Sequence, residues 1–284
     1  MKMLQGSPLI HKKYALLEKI GQGMFGEIYH GKNMKTMESV AIKSEPINTP
    51  YRLLKHETTI LKYLYDHGCR KIPMVYWYGV WEERTLCIMS FFECSLEDYC
   101  KMSSSNEKLN RIMIQCINIL ESIHENYVLH RDIKPQNFMI RNGELYAIDF
   151  GLATFYVNDK VEHIENSLQK NENIVGSPKY ASYNIHNGEQ CSRRDDLISL
   201  GYMYICLHSK ELPWDNLQNL VHDDISELSI YHNKNIQRKE LKSWLKLEPF
   251  FLKINQIIHK YLNYCYGLKY GQEPNYNGLI QLFI

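Results

Sequence analysis

One eight-residue stretch, at 130–137, constrains this chain more than any other. It reads His-Arg-Asp-Ile-Lys-Pro-Gln-Asn, after an apolar helical pattern and before a turn-prone Arg-Asn-Gly at 141–143. Asp, Asn and Pro are common turn residues, so the stretch is expected in a loop. Phosphoryl transfer from ATP uses the same set: an aspartate base, an amide oxygen for Mg2+ and a nearby cation. We expect Asp132, Asn137 and Lys134 to fill those roles, with a solvated turn as the alternative.

Composition indicates a folded protein without a strongly charged partner. The 284 residues are 44% hydrophobic and 12% aromatic, enough for one large domain or two lobes sharing a cleft. The chain has 33 basic and 32 acidic residues, so its formal net charge is only +1. This balance gives no overall field that would attract nucleic acid or an anionic membrane, and we expect neither as a partner.

Cysteine usage and hydropathy predict an intracellular location. The eight cysteines are scattered and include no C-x-x-C pair. The chain has no recognisable secretory leader, no myristoylation glycine and no apolar run of the roughly 20 residues that span a bilayer. We expect reduced thiols and a soluble protein of the cytoplasm or nucleus.

A glycine-rich segment near the N-terminus predicts a phosphate-binding turn. Gly21, Gly23 and Gly26 follow a loosely alternating run at 14–20, and glycines let backbone amides approach phosphates closely. The G-x-G-x-x-G spacing is weak evidence alone, since dinucleotide-binding folds and plain hairpins also have it. The β-prone residues that follow favour a strand, a glycine turn and two more strands over the dinucleotide type.

Lys43 and Glu57 form a second candidate pair. Lys43 ends an apolar strand at 39–43, where an ammonium needs a partner unless it reaches solvent. Residues 51–66 have the apolar spacing of an amphipathic helix, and Glu57 lies within it. A glutamate packed behind the strand would neutralise Lys43 and direct it toward ATP phosphates. An exposed position for Glu57 remains the alternative.

The next segments predict a small antiparallel sheet followed by helices. Residues 74–81 and 84–90 are β-prone, 90–93 suggest a hinge, and 96–99 and 108–124 are helical in pattern. A zinc protease motif starting at His124 is rejected because its second histidine position holds Val128, and His130 is expected to be a packed loop residue.

A short strand is predicted at 145–148, and Asp149-Phe150-Gly151 follows it directly. A carboxylate at a strand end can ligate Mg2+, which keeps waters and phosphate oxygens in its shell. Because Asp149 follows Asn137 by twelve residues with a hairpin between them, we expect their oxygens to share one metal site.

Together these motifs resemble the eukaryotic protein kinase catalytic domain, and more narrowly the casein kinase I family. The closer resemblance rests on the segments at 72–79, 180–186, 192–201, 212–214 and 261–263, and the similarity runs from about 14 to 283. It implies an α+β, two-lobed fold: an arm at 1–13 and a catalytic domain at 14–284. The domain divides into a small antiparallel-sheet lobe with one helix (14–89), a hinge (90–93) and a mainly helical lobe (94–284).

The resemblance also implies an ATP- and Mg2+-dependent serine/threonine protein kinase that acts on serine and threonine hydroxyls of protein substrates, and we expect it to be a monomer. Asp132 would be the catalytic base, assisted by Lys134, Lys43 and Glu57. Asn137 and Asp149 would hold the metal, and Asp196 would tie a large-lobe helix to the catalytic loop. ATP contacts are expected from Ile20, Gly21, Gln22, Gly23, Met24, Phe25, Gly26, Ile28, Ala41, Lys43, Met89 and Phe92.

Four departures from the family shape further expectations. Lys179, in the expected substrate-platform segment, stands where the family usually has arginine, and 218–224 lacks the family's basic run. We therefore expect a weaker preference for phosphorylated substrates than the family norm. The family's Gly-Pro after the hinge is replaced by Glu93-Cys94. Because the chain stops at Ile284 without a long tail, we expect constitutive activity. A pseudokinase and a small-molecule kinase are the weaker alternatives.

Overall fold

The computed structural model describes residues 9–23, 26–50, 52–101, 105–166, 174–217 and 227–284. Its strands are, in chain order, β1 (Tyr14–Gly23), β2 (Gly26–Asn33), β3 (Ser39–Pro46), β4 (Val75–Trp81), β5 (Arg84–Ser90), β6 (Cys94–Ser95), β7 (Val128–Leu129), β8 (Phe138–Arg141), β9 (Glu144–Ala147) and β10 (Thr154–Phe155). Its α-helices are α1 (Leu53–Asp66), α2 (Leu96–Lys101), α3 (Asn106–Glu125), α4 (Tyr183–His186), α5 (Arg193–Ser209), α6 (Glu227–Leu241), α7 (Trp244–Ile254), α8 (Gln256–Gly267) and α9 (Tyr276–Gln281). Short 3-10 helices cover Pro135–Asn137 and Phe150–Leu152.

Residue contacts divide the chain into two compact units. The first contains Met1–Cys94 and Met139–Gly151, and the second contains Ser95–Phe138 and Leu152–Ile284. The first unit holds an antiparallel sheet and the second is mainly helical, which confirms the predicted α+β class.

The first unit is built on a five-stranded antiparallel sheet in the order β1-β2-β3-β5-β4. Successive side chains of a strand point to opposite faces, so Val40 and Ile42 of β3 enter the core while Ala41 and Lys43 face the other way. The core on this sheet consists of buried residues from β1, β3, β5 and the segment before β1: Ile10, Tyr14, Val40, Ile42, Leu86 and Ile88.

Helix α1 packs against this sheet through one face. The helix begins at Leu53, inside the predicted range, and buries an apolar row at the three-four spacing of an amphipathic helix. Its buried face also includes Glu57, whereas the neighbouring His56 is exposed. The buried position is therefore the correct one of the two alternatives for Glu57.

The hairpin of β8 and β9 brings Asp149 into the first unit. Its turn contains Asn142 and Gly143 with φ of 52° and 76°, the left-handed conformation that an Asn-Gly turn adopts readily. The Ala147 amide then donates to the Lys71 carbonyl over 3.0 Å, which anchors the end of the hairpin. Asp149 follows with φ of 65°, uncommon for a non-glycine residue.

The second unit is organised around α5. Every residue of this helix from Arg194 to Ile205 is buried, as expected for a helix surrounded by others. It packs against α3 and α8, and α3 also contacts α9. A capping box of Ser192 and Asp195 fixes where α5 begins. Among the residues described in both units, no helix combines the length and apolar composition needed to cross a membrane.

Candidate active site

Two of the predicted catalytic side chains and one predicted metal ligand meet in the first unit. Lys43 Nζ lies 2.6 and 2.9 Å from the two carboxylate oxygens of Glu57 and 3.2 Å from Asp149 Oδ1. Burial alone would lower the pKa of Lys43, but the attraction of Glu57 and Asp149 raises it above its ordinary value. Lys43 therefore carries a fixed positive charge within β3, which continues to Pro46 and not only to the predicted strand end at residue 43.

The sheet face around Lys43 contains most of the predicted nucleotide contacts. Directly opposed residues of antiparallel strands share a face, and Lys43 is opposite Ile28 on β2 while Ala41 is opposite Met89 on β5. Met89 and Phe92 are buried, whereas Ile20 is 48% exposed.

The predicted glycine turn joins β1 and β2. Gly21, Gln22 and Gly23 are opposite Ile28, Glu27 and Gly26 in the register, and the connecting Met24 and Phe25 lie outside the described residues. A Cβ on Gly26 would lie only 2.2 Å from the Ser44 carbonyl oxygen. This position therefore needs glycine for the packing of β2 on β3, apart from any contact with phosphate.

The remaining predicted catalytic residues meet in the second unit. Asp132 Oδ2 lies 2.7 Å from Lys134 Nζ and accepts a hydrogen bond of 3.0 Å from the amide nitrogen of Asn137. Asp132 Oδ1 accepts from the backbone amide of Ser177 over 2.9 Å, and Lys134 also donates to Ser177 Oγ over 3.1 Å. Both carboxylate oxygens of the predicted base are thus held in defined directions.

Asp196 anchors the backbone of the catalytic loop. Its Oδ2 accepts from the backbone amide of His130 over 2.8 Å, and its Oδ1 accepts from that of Arg131 over 2.9 Å. His124 Nε2 lies 3.1 Å from Oδ2, and His124 Nδ1 lies 2.6 Å from the Tyr276 hydroxyl. Burial tends to raise the pKa of Asp196, but the bonds and charges of His124 and His130 hold it below its ordinary value of 3.8.

Gly176 lets the segment that carries Ser177 approach this loop. Its φ is 86°, and a Cβ there would lie 2.3 Å from the Arg131 carbonyl oxygen. Arg131 itself has φ of 65°. The bond between the Ser177 amide and Asp132 therefore depends on glycine at position 176.

The family model described as the protein kinase domain matches residues 14–268. The chain belongs to the protein kinase domain family. The match covers both units, and it agrees with an antiparallel-sheet unit followed by a helical one. The predicted kinase fold and a protein kinase activity are therefore confirmed at this level.

Protein kinases use ATP and a divalent metal, and the residues present suit Mg2+. The Asn137 amide oxygen and the Asp149 carboxylate are oxygen ligands of the kind that this ion prefers. Among the described ranges, no three His, Cys, Asp or Glu side chains gather as a metal cluster. Mg2+ fills most of its shell with waters and phosphate oxygens, so it needs few ligands from the protein.

Lys179, the predicted platform residue of the kinase, is already paired with a carboxylate. Its Nζ lies 2.8 Å from Asp215 Oδ2, and its carbonyl oxygen accepts from Trp214 Nε1 over 2.7 Å. The same Asp215 oxygen accepts from the Leu212 amide. Residues 218–224, where the kinase lacks a basic run, lie outside the described ranges.

Sequence reasoning missed several supporting residues of this kinase. Asp215 follows the Pro-Trp element directly, yet no local pattern connects it with Lys179. The Tyr276–His124 contact joins residues 152 positions apart. His124 directly follows Ile123, a residue of the apolar row of α3. The apolar spacing does not reveal that the histidine is itself buried or that Asp196 is its partner.

Proposed function

We propose that this chain is a serine/threonine protein kinase of the casein kinase I type, which transfers the γ-phosphoryl group of ATP to hydroxyls of protein substrates. The observation that carries the proposal is the Asp132 carboxylate, held by the Ser177 amide on one oxygen and by Lys134 on the other. An aspartate so oriented is suited to accept the proton of an acceptor hydroxyl.

The other residues of the site have separate roles in this proposal. Lys43, oriented by Glu57, binds ATP phosphates, and Lys134 stabilises charge on the transferring group. Asn137 and Asp149 bind Mg2+, which neutralises phosphate charge when it is present. Because positioning and charge neutralisation carry this reaction, no covalent intermediate on the protein is needed.

Acceptor specificity is tested with three peptides that differ only in a single serine, threonine or tyrosine acceptor. We expect radiolabelled phosphate on the serine and threonine peptides and background labelling of the tyrosine peptide. Asp132→Asn is the control, and losing the base should lower the rate about 100-fold or more with little change in unfolding temperature. Tyrosine labelling at a comparable rate, or an active Asp132→Asn enzyme, would contradict the proposal.

We propose further that the kinase prefers already phosphorylated substrates less strongly than casein kinase I family members usually do. The support is the Lys179–Asp215 ion pair, since a cation neutralised by a neighbouring carboxylate attracts an incoming phosphate weakly. Lysine also lacks the bidentate fork with which arginine binds phosphate. Matched peptides with and without a phosphoserine upstream of the acceptor should be phosphorylated at similar rates, and a strong preference for the phosphorylated peptide would refute the idea.

Constitutive activity is the last part of the proposal. Its support is the Lys43–Glu57 ion pair, which positions α1 and which activation-loop phosphorylation controls in many protein kinases. Purified kinase treated with phosphatase should keep its specific activity. If activity were lost and returned after autophosphorylation, this part of the proposal would be wrong.

A further inference from the structure

Lys242 is a fully buried lysine directly after the end of α6. Its Nζ donates to three backbone carbonyl oxygens, those of Pro178 at 2.8 Å, Lys179 at 3.1 Å and Ala181 at 2.6 Å. It also lies 3.2 Å from His186 Nε2. One amine thus binds three carbonyl oxygens of segment 178–181, although it lies 61 to 64 residues further along the chain.

No carboxylate neutralises this amine within ion-pair distance in the described part of the chain. Aromatic faces partly compensate, since Nζ lies 4.6 Å from the ring centre of Trp214 and 5.2 Å from that of Tyr202. Burial lowers the pKa of Lys242 well below its ordinary value, with a smaller contribution from Arg238. The fold therefore keeps the Lys242 amine buried although its burial is unfavourable in free energy.

An apolar side chain of similar length, such as methionine, would fill this volume without the cost of burying an ammonium. It would leave the Ala181 carbonyl without the 2.6 Å bond from Lys242. Holding these carbonyls is thus a use of the lysine that space filling does not explain.

The segment that Lys242 holds adjoins the catalytic base. Residue 177 immediately precedes it, and the Ser177 amide donates to Asp132 Oδ1 over 2.9 Å. Lys134 links the same two residues by bonding to Asp132 Oδ2 and to Ser177 Oγ. The backbone that Lys242 fixes is therefore directly joined to the residue whose amide orients Asp132.

We infer that Lys242 is a positioning residue for the protein substrate, which acts by holding the backbone of 178–181 and thereby the Ser177 amide against Asp132. The inference rests on the proposed function, because it requires a protein acceptor delivered to Asp132. It assigns Lys242 no contact with ATP or with the transferring phosphate.

The test is the steady-state kinetics of Lys242→Met with peptide and ATP varied separately. Misplacement of the segment should lower kcat/KM for the peptide by about tenfold or more. The KM for ATP and the peptide-independent hydrolysis of ATP should stay within about twofold of wild type, because Lys242 contacts neither. Lys246→Met makes the same change at an exposed position on α7 and should leave all values unchanged.

A second variant, Lys242→Gln, keeps two N–H donors and should lose less peptide kcat/KM than Lys242→Met. Equal losses of peptide and ATP parameters, or peptide kinetics like those of wild type, would overturn the inference. If neither variant folds, as judged by its circular dichroism, Lys242 is a folding determinant and the inference is also wrong. A wild-type enzyme that phosphorylates no peptide would instead refute the proposed function.

Discussion

Asp196→Asn is the substitution for which the structure predicts the most specific outcome. Asp196 is 1% exposed, and its two oxygens accept three hydrogen bonds, two of them from the backbone amides of His130 and Arg131. Asparagine keeps one accepting oxygen and replaces the other with an NH2 group that cannot accept. In either orientation of the amide, at least one buried backbone N–H loses its acceptor.

The cost of that loss follows from the charge on the acceptor. Hydrogen bonds to charged groups contribute about 1.5–3 kcal/mol each, so Asp196→Asn should destabilise the kinase by at least about 2 kcal/mol. The unfolding temperature should fall by about 4–10 °C. Because the released amides belong to the loop that carries Asp132, kcat should also fall by about tenfold or more.

The lowered pKa of Asp196 determines how the effect of Asp196→Asn on stability changes with pH. The pKa of Asp196 is lower in the folded state, so its carboxylate contributes stability that is present above the ordinary pKa of 3.8 and is lost as the pH falls through the folded value. The stability difference between wild type and Asp196→Asn should be constant from neutral pH down to about pH 5 and shrink below about pH 4. Urea unfolding at a series of pH values measures it.

Asp195→Asn is the matched control. This neighbouring carboxylate is equally buried, but burial raises its pKa, so its charged form is disfavoured in the folded state. Its partners are Ser182, Asn184 and Ser192 rather than the catalytic loop. Replacement by asparagine should therefore cost less stability at neutral pH. If Asp195→Asn destabilised the kinase more, or if Asp196→Asn left both kcat and unfolding unchanged, the reasoning would be refuted.

Two further substitutions test the charges of the site. Glu57→Gln removes the charge of the closest partner of the partly buried Lys43 and leaves Asp149 as its carboxylate partner, so kcat/KM for ATP should fall about tenfold or more. A rate like that of wild type would show that the ion pair is not needed. Asp215→Asn removes the negative charge that neutralises Lys179, so the rate on a phosphorylated peptide should increase severalfold relative to the rate on the unphosphorylated one. The effect on stability should be small because both side chains are partly exposed. An unchanged ratio of rates would count against the role given to that ion pair.

Local patterns in the sequence predicted the elements that depend on local physics. The three-four spacing of apolar residues indicated α1 and α3, and the predicted range of each agrees with the structure to within two residues at each end. Glu57 was left open between a buried and an exposed position, since a charged residue inside an amphipathic helix is usually solvated. Only the packing of α1 on β3 decides it, because it places Glu57 beside Lys43.

Contacts made by isolated residues were not predictable in this way. Ile10 lies in a segment expected to be an arm, yet it is fully buried in the core with Tyr14. The apolar pair at 9–10 is too short to show a periodicity, so no pattern marks Ile10 as buried. Gly26 was assigned to phosphate approach, whereas the structure adds a steric reason: the Ser44 carbonyl leaves no room for a Cβ.

Lys43 and Lys242 show why some functional residues can be found from sequence and others cannot. Lys43 follows an apolar run in β3, so its position alone demands a partner, and two carboxylates keep it charged. Lys242 follows a helix with one buried residue, Asn235, where a lysine is ordinary and favourable with the helix dipole. Its burial arises only when 178–181 folds across it. The acidic partners of a phosphate-binding lysine such as Lys43 are side chains that sequence motifs can predict. The partners of Lys242 are backbone carbonyls, which no sequence motif identifies.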